Sequence, residues 1–253
     1  ESWDNAPRLH IELSGKGSTR YYGYFNPDYF YYYNSNKFDH KYKKVEYAGG
    51  SWSVENLSGA SKNLSDADIV SEGLWDGNWL NWLCMRRIDV VRKVLMGGLA
   101  TSRLGGGNQV NFGETPTQSY HTFIRNFNSS IGSAVSPYDG NYYYKMERGY
   151  IYVDTNNPPS SKTKFTIAVQ KNNQYEPEDF LDGNLAGVLQ KYGDKARRGN
   201  EFFNTGTGNG QSGGYIAATF VLIETSLITD LQNTHYNTWT PLAESYYVAM
   251  QYF

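Results

Sequence analysis

Asp76-Gly77-Asn78-Trp79-Leu80-Asn81-Trp82-Leu83-Cys84-Met85-Arg86-Arg87-Ile88-Asp89-Val90-Val91-Arg92-Lys93-Val94-Leu95-Met96-Gly97-Gly98 is the stretch on which the reading of the fold turns. Leu80, Leu83, Ile88, Val91 and Leu95 recur at three- and four-residue spacing, the mark of a helix with one apolar stripe. Arg86, Arg87, Arg92 and Lys93 fall largely off that stripe, as a core-facing helix requires. Asp76 or Asn78 can accept from the first free backbone N–H groups, and Gly97-Gly98 supplies the stop. The pattern predicts one amphipathic helix over 76–96 with its aliphatic stripe in the core.

Upstream, Arg8-Leu9-His10-Ile11-Glu12-Leu13 alternates like a short strand and runs into a Ser-Gly-Lys-Gly-Ser loop. Residues 19–75 show no sustained helical period and read as a long, loop-rich insertion carrying Tyr21-Tyr22-Gly23-Tyr24-Phe25-Asn26-Pro27 and Tyr31-Tyr32-Tyr33. Residues 101–160 read as a second Tyr/Gly-rich insertion, with a hairpin near Tyr142–Val153. Downstream, Phe165–Gln170 alternates as a strand, and Phe180–Tyr192 places Leu181, Leu185, Val188 and Leu189 on one helical face. Glu201-Phe202-Phe203 and Tyr215–Val221 read as two strands joined by the glycine-rich run 206–214. Thr240-Pro241-Leu242-Ala243-Glu244 opens a last helix, with Thr as cap and Pro in the first turn. Strands alternating with helices predict an α/β layer fold.

The chain has 253 residues, enough to bury a substantial core, and a net charge of −2. That near-neutral balance gives no electrostatic basis for binding nucleic acid or an anionic membrane. No apolar run approaches the roughly 18 residues of a membrane-spanning helix, so no membrane insertion is expected. The opening Glu1-Ser2-Trp3-Asp4 is not a basic and apolar leader. Tyrosine stands out at 23 residues; it gives large contact area at low rotamer cost and suits binding surfaces. Cys84 is the single cysteine, so neither an internal disulfide nor a cysteine-built zinc site can form.

Signals for chemistry are weak. His10, His40, His121 and His235 share no spacing with each other or with acids. The G-x-G pattern within 206–214 precedes a strand, whereas a phosphate loop needs a helix N-terminus. Glu176, Glu178, Asp179 and Asp182 cluster ahead of a helix, where its dipole favours acids. Cys84, beside Leu83, reads as a small buried hydrophobe, and Lys41-Tyr42-Lys43-Lys44 as a solvated loop. The balance predicts a binding module and no enzyme.

Four blocks, in one collinear order, resemble the pilus-tip adhesin family of the PilY/PilC type. Tyr21–Pro27 resembles its YYGYFDP segment, and Gly77–Gly98 is similar to its long helix. Gly187-Val188-Leu189-Gln190-Lys191-Tyr192-Gly193-Asp194-Lys195-Ala196-Arg197 and Thr240–Glu244 with Gln251-Tyr252-Phe253 resemble two further blocks. The resemblance implies the front part of a von Willebrand A-like (Rossmann-like) domain, exported and extracellular or at the cell surface. It implies a place at a type IV pilus, in pilus assembly, attachment and motility. Tyr21, Tyr22, Tyr24, Tyr31, Tyr32 and Tyr33 then form the candidate binding surface.

The same resemblance implies a divalent-cation site, in degenerate form. Glu12-Leu13-Ser14-Gly15-Lys16 stands where the family of A-domains has D-x-S-x-S, and Thr240 matches its threonine. Glu12, Ser14 and Thr240 are therefore candidate oxygen ligands for Mg²⁺ or Ca²⁺, while the Lys16 ammonium is a candidate substitute for the ion. Arg197-Arg198-Gly199-Asn200 departs from the family's apolar second strand, and a charge there is costly unless paired. The expected sheet is incomplete at its C-terminal side, leaving the Leu9–Leu13 strand as an edge to be covered by a polypeptide that supplies the remaining strands. Pilus or filament proteins are the expected partners. The alternative is a structural subunit of an extracellular filament or sheath. If Lys16 holds the cation's place beside Glu12, elemental analysis of the purified chain will find no stoichiometric divalent metal; one Mg²⁺ per chain bound near Ser14 overturns that reading.

Overall fold

A computed structural model describes residues 20–116, 119–129, 134–160, 162–195, 198–203, 214–221 and 224–233. Within them the architecture is mixed α/β, built from antiparallel sheets around a buried helix. The first sheet begins as a meander: β1 (Tyr29–Asn34), β2 (Lys37–Ala48), β3 (Ser51–Asn56) and β4 (Ser61–Ser65), each antiparallel to the next. The short helix α1 (Asp66–Ser71) follows, opened by a reciprocal cap between Ser65 and Asp68. The chain then returns as β5 (Leu74–Asp76) on the free side of β1.

Strand β2 organises this sheet. Its pairing with β1 passes from Phe30–Tyr42 to Tyr31–His40, so β2 carries one extra residue there, a bulge that reverses which face its side chains take. Phe38 therefore joins the core on one face, while Tyr42 joins Phe30, Trp52, Val54, Leu64, Ile69 and Leu74 on the other. Only the C-terminal part of β2 pairs with β3, which leaves its N-terminal part open to a further strand.

After β5 come the helices α2 (Gly77–Cys84) and α3 (Arg87–Met96), then β6 (Val110–Phe112). A second sheet of four antiparallel strands consists of β7 (Phe123–Asn128), β8 (Asn141–Glu147), β9 (Tyr150–Asp154) and β10 (Lys164–Thr166). Strand β11 (Ala168–Gln170) returns to the first sheet, antiparallel to β6 and in a single parallel pairing of Val169 with Phe38 of β2. Helix α2 lies between the two sheets and all eight of its residues are buried. Trp79 packs on Trp75 of the first sheet and on Phe127 and Tyr144 of the second, with ring centroids 5.0–6.1 Å apart.

Beyond β11, β12 (Phe180–Leu181) and β13 (Asn184–Leu185) form a small hairpin, followed by α4 (Val188–Tyr192). Strands β14 (Arg198–Phe203) and β15 (Gly214–Val221) pair antiparallel, and α5 (Glu224–Asn233) closes the described chain. Helices α3, α4 and α5 meet through Met96, Leu189, Leu227 and Leu231.

Several expectations are corrected. Residues 19–75 are strand-rich in place of loop-rich: the missing helical period there reflects strands, bounded by two-residue turns such as Ser35-Asn36 with both φ positive. The segment 76–96 is two helices, because Met85 and Arg86 take extended backbone (ψ 133° and 160°) between them. Asp89 stabilises the break by accepting from the Arg86 N–H at 2.9 Å, a cap that restarts the helix. The predicted ends hold: Asp76 Oδ1 accepts from the Asn78 and Trp79 N–H groups, and Gly97 ends α3 with φ 79°.

The break also resets the helical phase. In α3 the buried positions are Asp89, Arg92, Lys93 and Met96, at helical spacing, while Val91 and Val94 are 43% and 41% exposed. The aliphatic stripe extrapolated through an unbroken helix therefore does not describe α3. Phe165–Gln170 is likewise divided at Ile167 between two sheets. Phe180–Tyr192 opens as a hairpin because Asp182-Gly183 (φ 50° and 77°) makes the two-residue turn this dipeptide favours. The hairpin near 142–153 and the pairing of 201–203 with 215–221 are present as expected.

The sheets described are antiparallel apart from the Val169–Phe38 pairing, so the parallel, Rossmann-like A-domain sheet is not what these residues form. The Leu9–Leu13 strand and the helix expected at Thr240 lie outside the described residues. The inverted face of α3 has a direct consequence for stability. Arg92→Ala removes the cation beside the buried Glu114 carboxylate and is expected to cost about 3–5 kcal/mol. Val94→Lys, on the outward face, should change stability by no more than about 0.5 kcal/mol. Urea denaturation of the two variants measures both.

Candidate functional site

The site begins with the backbone of Tyr21–Pro27, which has no regular partner strand and is held by side chains. Asn81 of α2 accepts from the Phe25 N–H through Oδ1 at 3.1 Å and donates through Nδ2 to the Tyr21 and Phe25 carbonyls, both at 2.8 Å. Asn78 Oδ1 accepts from the Tyr21 N–H at 2.7 Å. The Tyr31 hydroxyl accepts from the Asn26 N–H at 2.6 Å, and the Lys171 ammonium donates to the Tyr24 carbonyl at 2.9 Å. Gly23 permits the close approach: a Cβ there would lie 2.3 Å from Asn81 Oδ1 and 2.4 Å from Met85 Cγ. The tyrosine motif and the asparagine-bearing helix are thus one structural unit.

Behind this segment lies a buried cluster of charges. Lys171, fully buried just past β11, contacts Glu176 Oε1 at 2.5 Å and Asp179 Oδ2 at 2.7 Å. Lys93 of α3 approaches Asp179 Oδ2 at 3.2 Å from the other side. Burial works against the Lys171 ammonium, but the two carboxylates outweigh it and raise its pKa. Burial lifts the Glu176 carboxyl to about 7 against the pull of Lys171. Asp179, which touches both ammoniums, is held below the usual carboxylate range despite its burial. His40 Nε2 sits 3.1 Å from the Tyr31 hydroxyl and 3.5 Å from Glu176 Oε2. Burial, reinforced by the Lys171 charge, pushes its imidazole from 6.5 to about 3, so it is neutral.

In front of the segment is a groove of about 420 Å³. Tyr21, Tyr22, Tyr175, Lys93 and Asp179 line it, together with the largely buried Tyr29. Tyr22 is 54% exposed, and its ring carries the Lys93 ammonium 4.7 Å from the centroid. Tyr29 is fixed edge-on against His40 at 5.0 Å and tilted against Tyr175 at 5.7 Å. At the rim the Arg20 guanidinium donates to both oxygens of Asp28 at 2.6 Å.

The tyrosines singled out from sequence separate into three kinds. Tyr21 and Tyr22 line the groove. Tyr24 and Tyr31 are fully buried, a correction: their hydroxyls serve the fold, Tyr24 accepting from the Leu99 N–H at 3.1 Å. Tyr32 and Tyr33 are half-buried; Tyr33 packs on Phe38 and Phe165 and accepts from the Thr166 N–H. Glu12, Ser14, Lys16 and Thr240 lie outside the described residues.

Other readings change as well. Glu176 and Asp179, read as acids favoured by the dipole of a following helix, are ion-pair partners of Lys171 and Lys93 within the core. Lys44, read as part of a solvated loop, is buried against Asp76 at 2.7 Å and over the Phe30 and Trp52 rings. Cys84, by contrast, is buried as expected and donates to the Leu80 carbonyl, with its thiol pushed up by burial. Lys93, Lys171, Tyr175 and Asn81 were not foreseen. The two asparagines three residues apart in an otherwise apolar helix were the available signal, since buried amides need partners. Among the described residues no three or more His, Cys, Asp and Glu side chains gather as metal ligands would, and no helix is long and apolar enough to cross a membrane.

The fold and groove define a small mixed α/β domain whose tyrosine motif is clamped onto a buried helix. Its family follows from comparison: the family model described as "PilY1 homolog, small alpha/beta domain" matches residues 14–178, well over half of the chain, and the chain belongs to that family. It is accordingly a type IV pilus-associated protein. Neither curated proteins nor solved structures gave a match.

His40 yields a signed pH prediction. Its pKa is lower folded than unfolded, so between 6.5 and about 3 the unfolded chain binds the extra proton and acid removes stability. Glu176, raised to about 7, acts oppositely, with stability lost as pH rises from 4.5 toward 7; it is present in wild type and variant alike. The difference in unfolding free energy between wild type and His40→Gln should fall by up to about 1.4 kcal/mol per pH unit below 6.5. Urea titrations at pH 7 and pH 4.5 test this, and a pH-independent difference would mean that His40 is not held neutral.

Proposed function

We propose that the chain is an extracellular adhesion and pilus-assembly module that works by binding protein or a surface, and that the Tyr21–Tyr22–Tyr29–Tyr175 groove is its contact site. The observation that carries this is the investment of buried polar bonds in one irregular segment: Asn78, Asn81, Tyr31 and Lys171 all hold Tyr21–Asn26, whose outward side is the groove. Rigid presentation of exposed aromatics lowers the entropy lost on association. Binding is favoured over catalysis because the His40–Glu176 pair, the nearest approach to an acid–base couple here, is sealed from solvent. The part of the proposal that concerns Glu12, Ser14 and Thr240 keeps Lys16 in the role of the cation, with Mg²⁺ or Ca²⁺ as the alternative occupant. A partner polypeptide completing the sheet beside Leu9–Leu13 belongs to the same proposal.

Tyr22 and Lys43 are exposed, so the double variant Tyr22→Ala/Lys43→Ala should stay folded, losing no more than about 1 kcal/mol with the Tyr22–Lys93 contact. Piliated cells carrying it should attach to surfaces several-fold less well. Undiminished attachment by a folded variant overturns the groove as the contact site. Imaging of labelled chain separates a tip module, one copy per pilus, from a filament subunit repeated along a fibre.

A further inference from the structure

We infer that the tyrosine groove takes a neutral carbohydrate chain; the inference rests on the groove being the contact site and names the class of ligand. Three observations carry it. The first is charge: Arg20, Lys43 and Lys93 are matched by Asp28, Glu178 and Asp179 among the lining residues, and Lys93 and Arg20 are already paired within the protein. A nucleic acid, a sulfated polymer or a strongly charged peptide would meet no net field of opposite sign there.

The second is the kind of surface. Tyr22 offers an exposed ring and the half-buried Tyr175 lines the same groove, with Tyr29 buried beneath it, so a ligand must present flat C–H surface as well as polar groups. A pyranose ring has C–H faces for stacking and an equatorial belt of hydroxyls. The paired ions at the rim, Arg20–Asp28, and the exposed Gln174 and Glu178 offer donors and acceptors side by side, as hydroxyls, which both give and accept, require. An aliphatic peptide side chain would leave those rim groups without exchange partners.

The third is rigidity. The Tyr22 ring rests against the Lys93 ammonium, and Lys93 is pinned by Asp179, itself bound to Lys171. Tyr29 is wedged between His40 and Tyr175. Weak, multiple contacts of the kind a sugar makes need such preorganisation to yield measurable affinity. Another groove among the described residues, about 540 Å³ along Gly105–Gly107 and Gln170, lacks this: no tyrosine lines it and Gln170 Nε2 is spent on the Gly107, Gln109 and Lys171 carbonyls.

The test is titration of the whole purified chain, followed by NMR chemical shifts and calorimetry, with cellotetraose, chitotetraose, maltotetraose and lacto-N-tetraose. A sulfated heparin tetrasaccharide serves as the charged control. At least one neutral tetrasaccharide should bind saturably and shift the Tyr22 and Tyr175 ring signals, and the heparin fragment should not. Tyr22→Ala should weaken that binding about tenfold, equivalent to about 1.4 kcal/mol, and Tyr22→Trp should restore it. If no neutral tetrasaccharide binds while Tyr22→Ala/Lys43→Ala still weakens attachment several-fold, the carbohydrate inference fails and the groove stands as a protein contact. If neither sugar binding nor an attachment defect appears, both fail. Preferential heparin binding also overturns the inference.

Discussion

A helix buried on every side has no wet face on which to place a polar group, and that constraint shapes the rest of this molecule. Helix α2 lies between two antiparallel sheets, yet carries Asn78 and Asn81. An amide left without partners in such a place costs about 1–3 kcal/mol. Both amides find their partners in the main chain of Tyr21–Phe25. The arrangement fixes an otherwise irregular segment at one height above the helix. Gly23 is there because the clamp leaves no room for a Cβ. The position of the groove, the identity of its floor and the exposure of Tyr22 all descend from that contact.

The second determinant is the inward turn of charge on α3. Asp89, Arg92 and Lys93 face the core, where Asp89 accepts from the Glu114 N–H, Arg92 pairs with Glu114 and donates to the Leu231 carbonyl, and Lys93 meets Asp179. Burial pushes the Asp89 carboxyl up to about 6, a measure of how dry the site is. Replacing such networks with apolar groups is often neutral or stabilising in proteins, so their value here is geometric. They bind α3 at once to the segment after β6, to the turn after β11 and to α5, three regions far apart in sequence. A greasy interface would tolerate sliding, whereas directional bonds do not.

How far sequence carried the reading varies with the physics of each element. Turn chemistry and helix ends are local, so Asp76, Gly97 and the hairpin around Arg148-Gly149 were legible. Strands β1–β4 were not, because bulges such as that at Lys41 break alternation, and tyrosine serves both strand and loop. The helix break at Met85 has neither proline nor glycine to announce it; Met85 there packs against Gly23 and takes the Tyr24 N–H on its sulfur, a tertiary contact. Once the break was missed, the phase of α3 was necessarily wrong, and Val91 took the place that belongs to Arg92. The tyrosine motif was visible in sequence, but which rings turn inward was not: Tyr24 and Tyr31 are buried through contacts with Leu99 and Asn26 that spacing does not announce. The buried lysines Lys93 and Lys171 left no trace, since nothing in their neighbours announces an acid brought from elsewhere in the chain.

The clamp on the tyrosine segment also dictates an order of events during synthesis. Asn26 donates to the Tyr175 carbonyl and Tyr24 receives the Lys171 ammonium, contacts spanning 149 and 147 residues. A polypeptide emerging from its N-terminus therefore exposes this aromatic stretch long before the residues that lock it have been made. Closing so wide a loop is slow, and contacts of such separation delay folding. Until then the tyrosines are sticky, unstructured chain, which makes this stretch the natural point for a chaperone to guard.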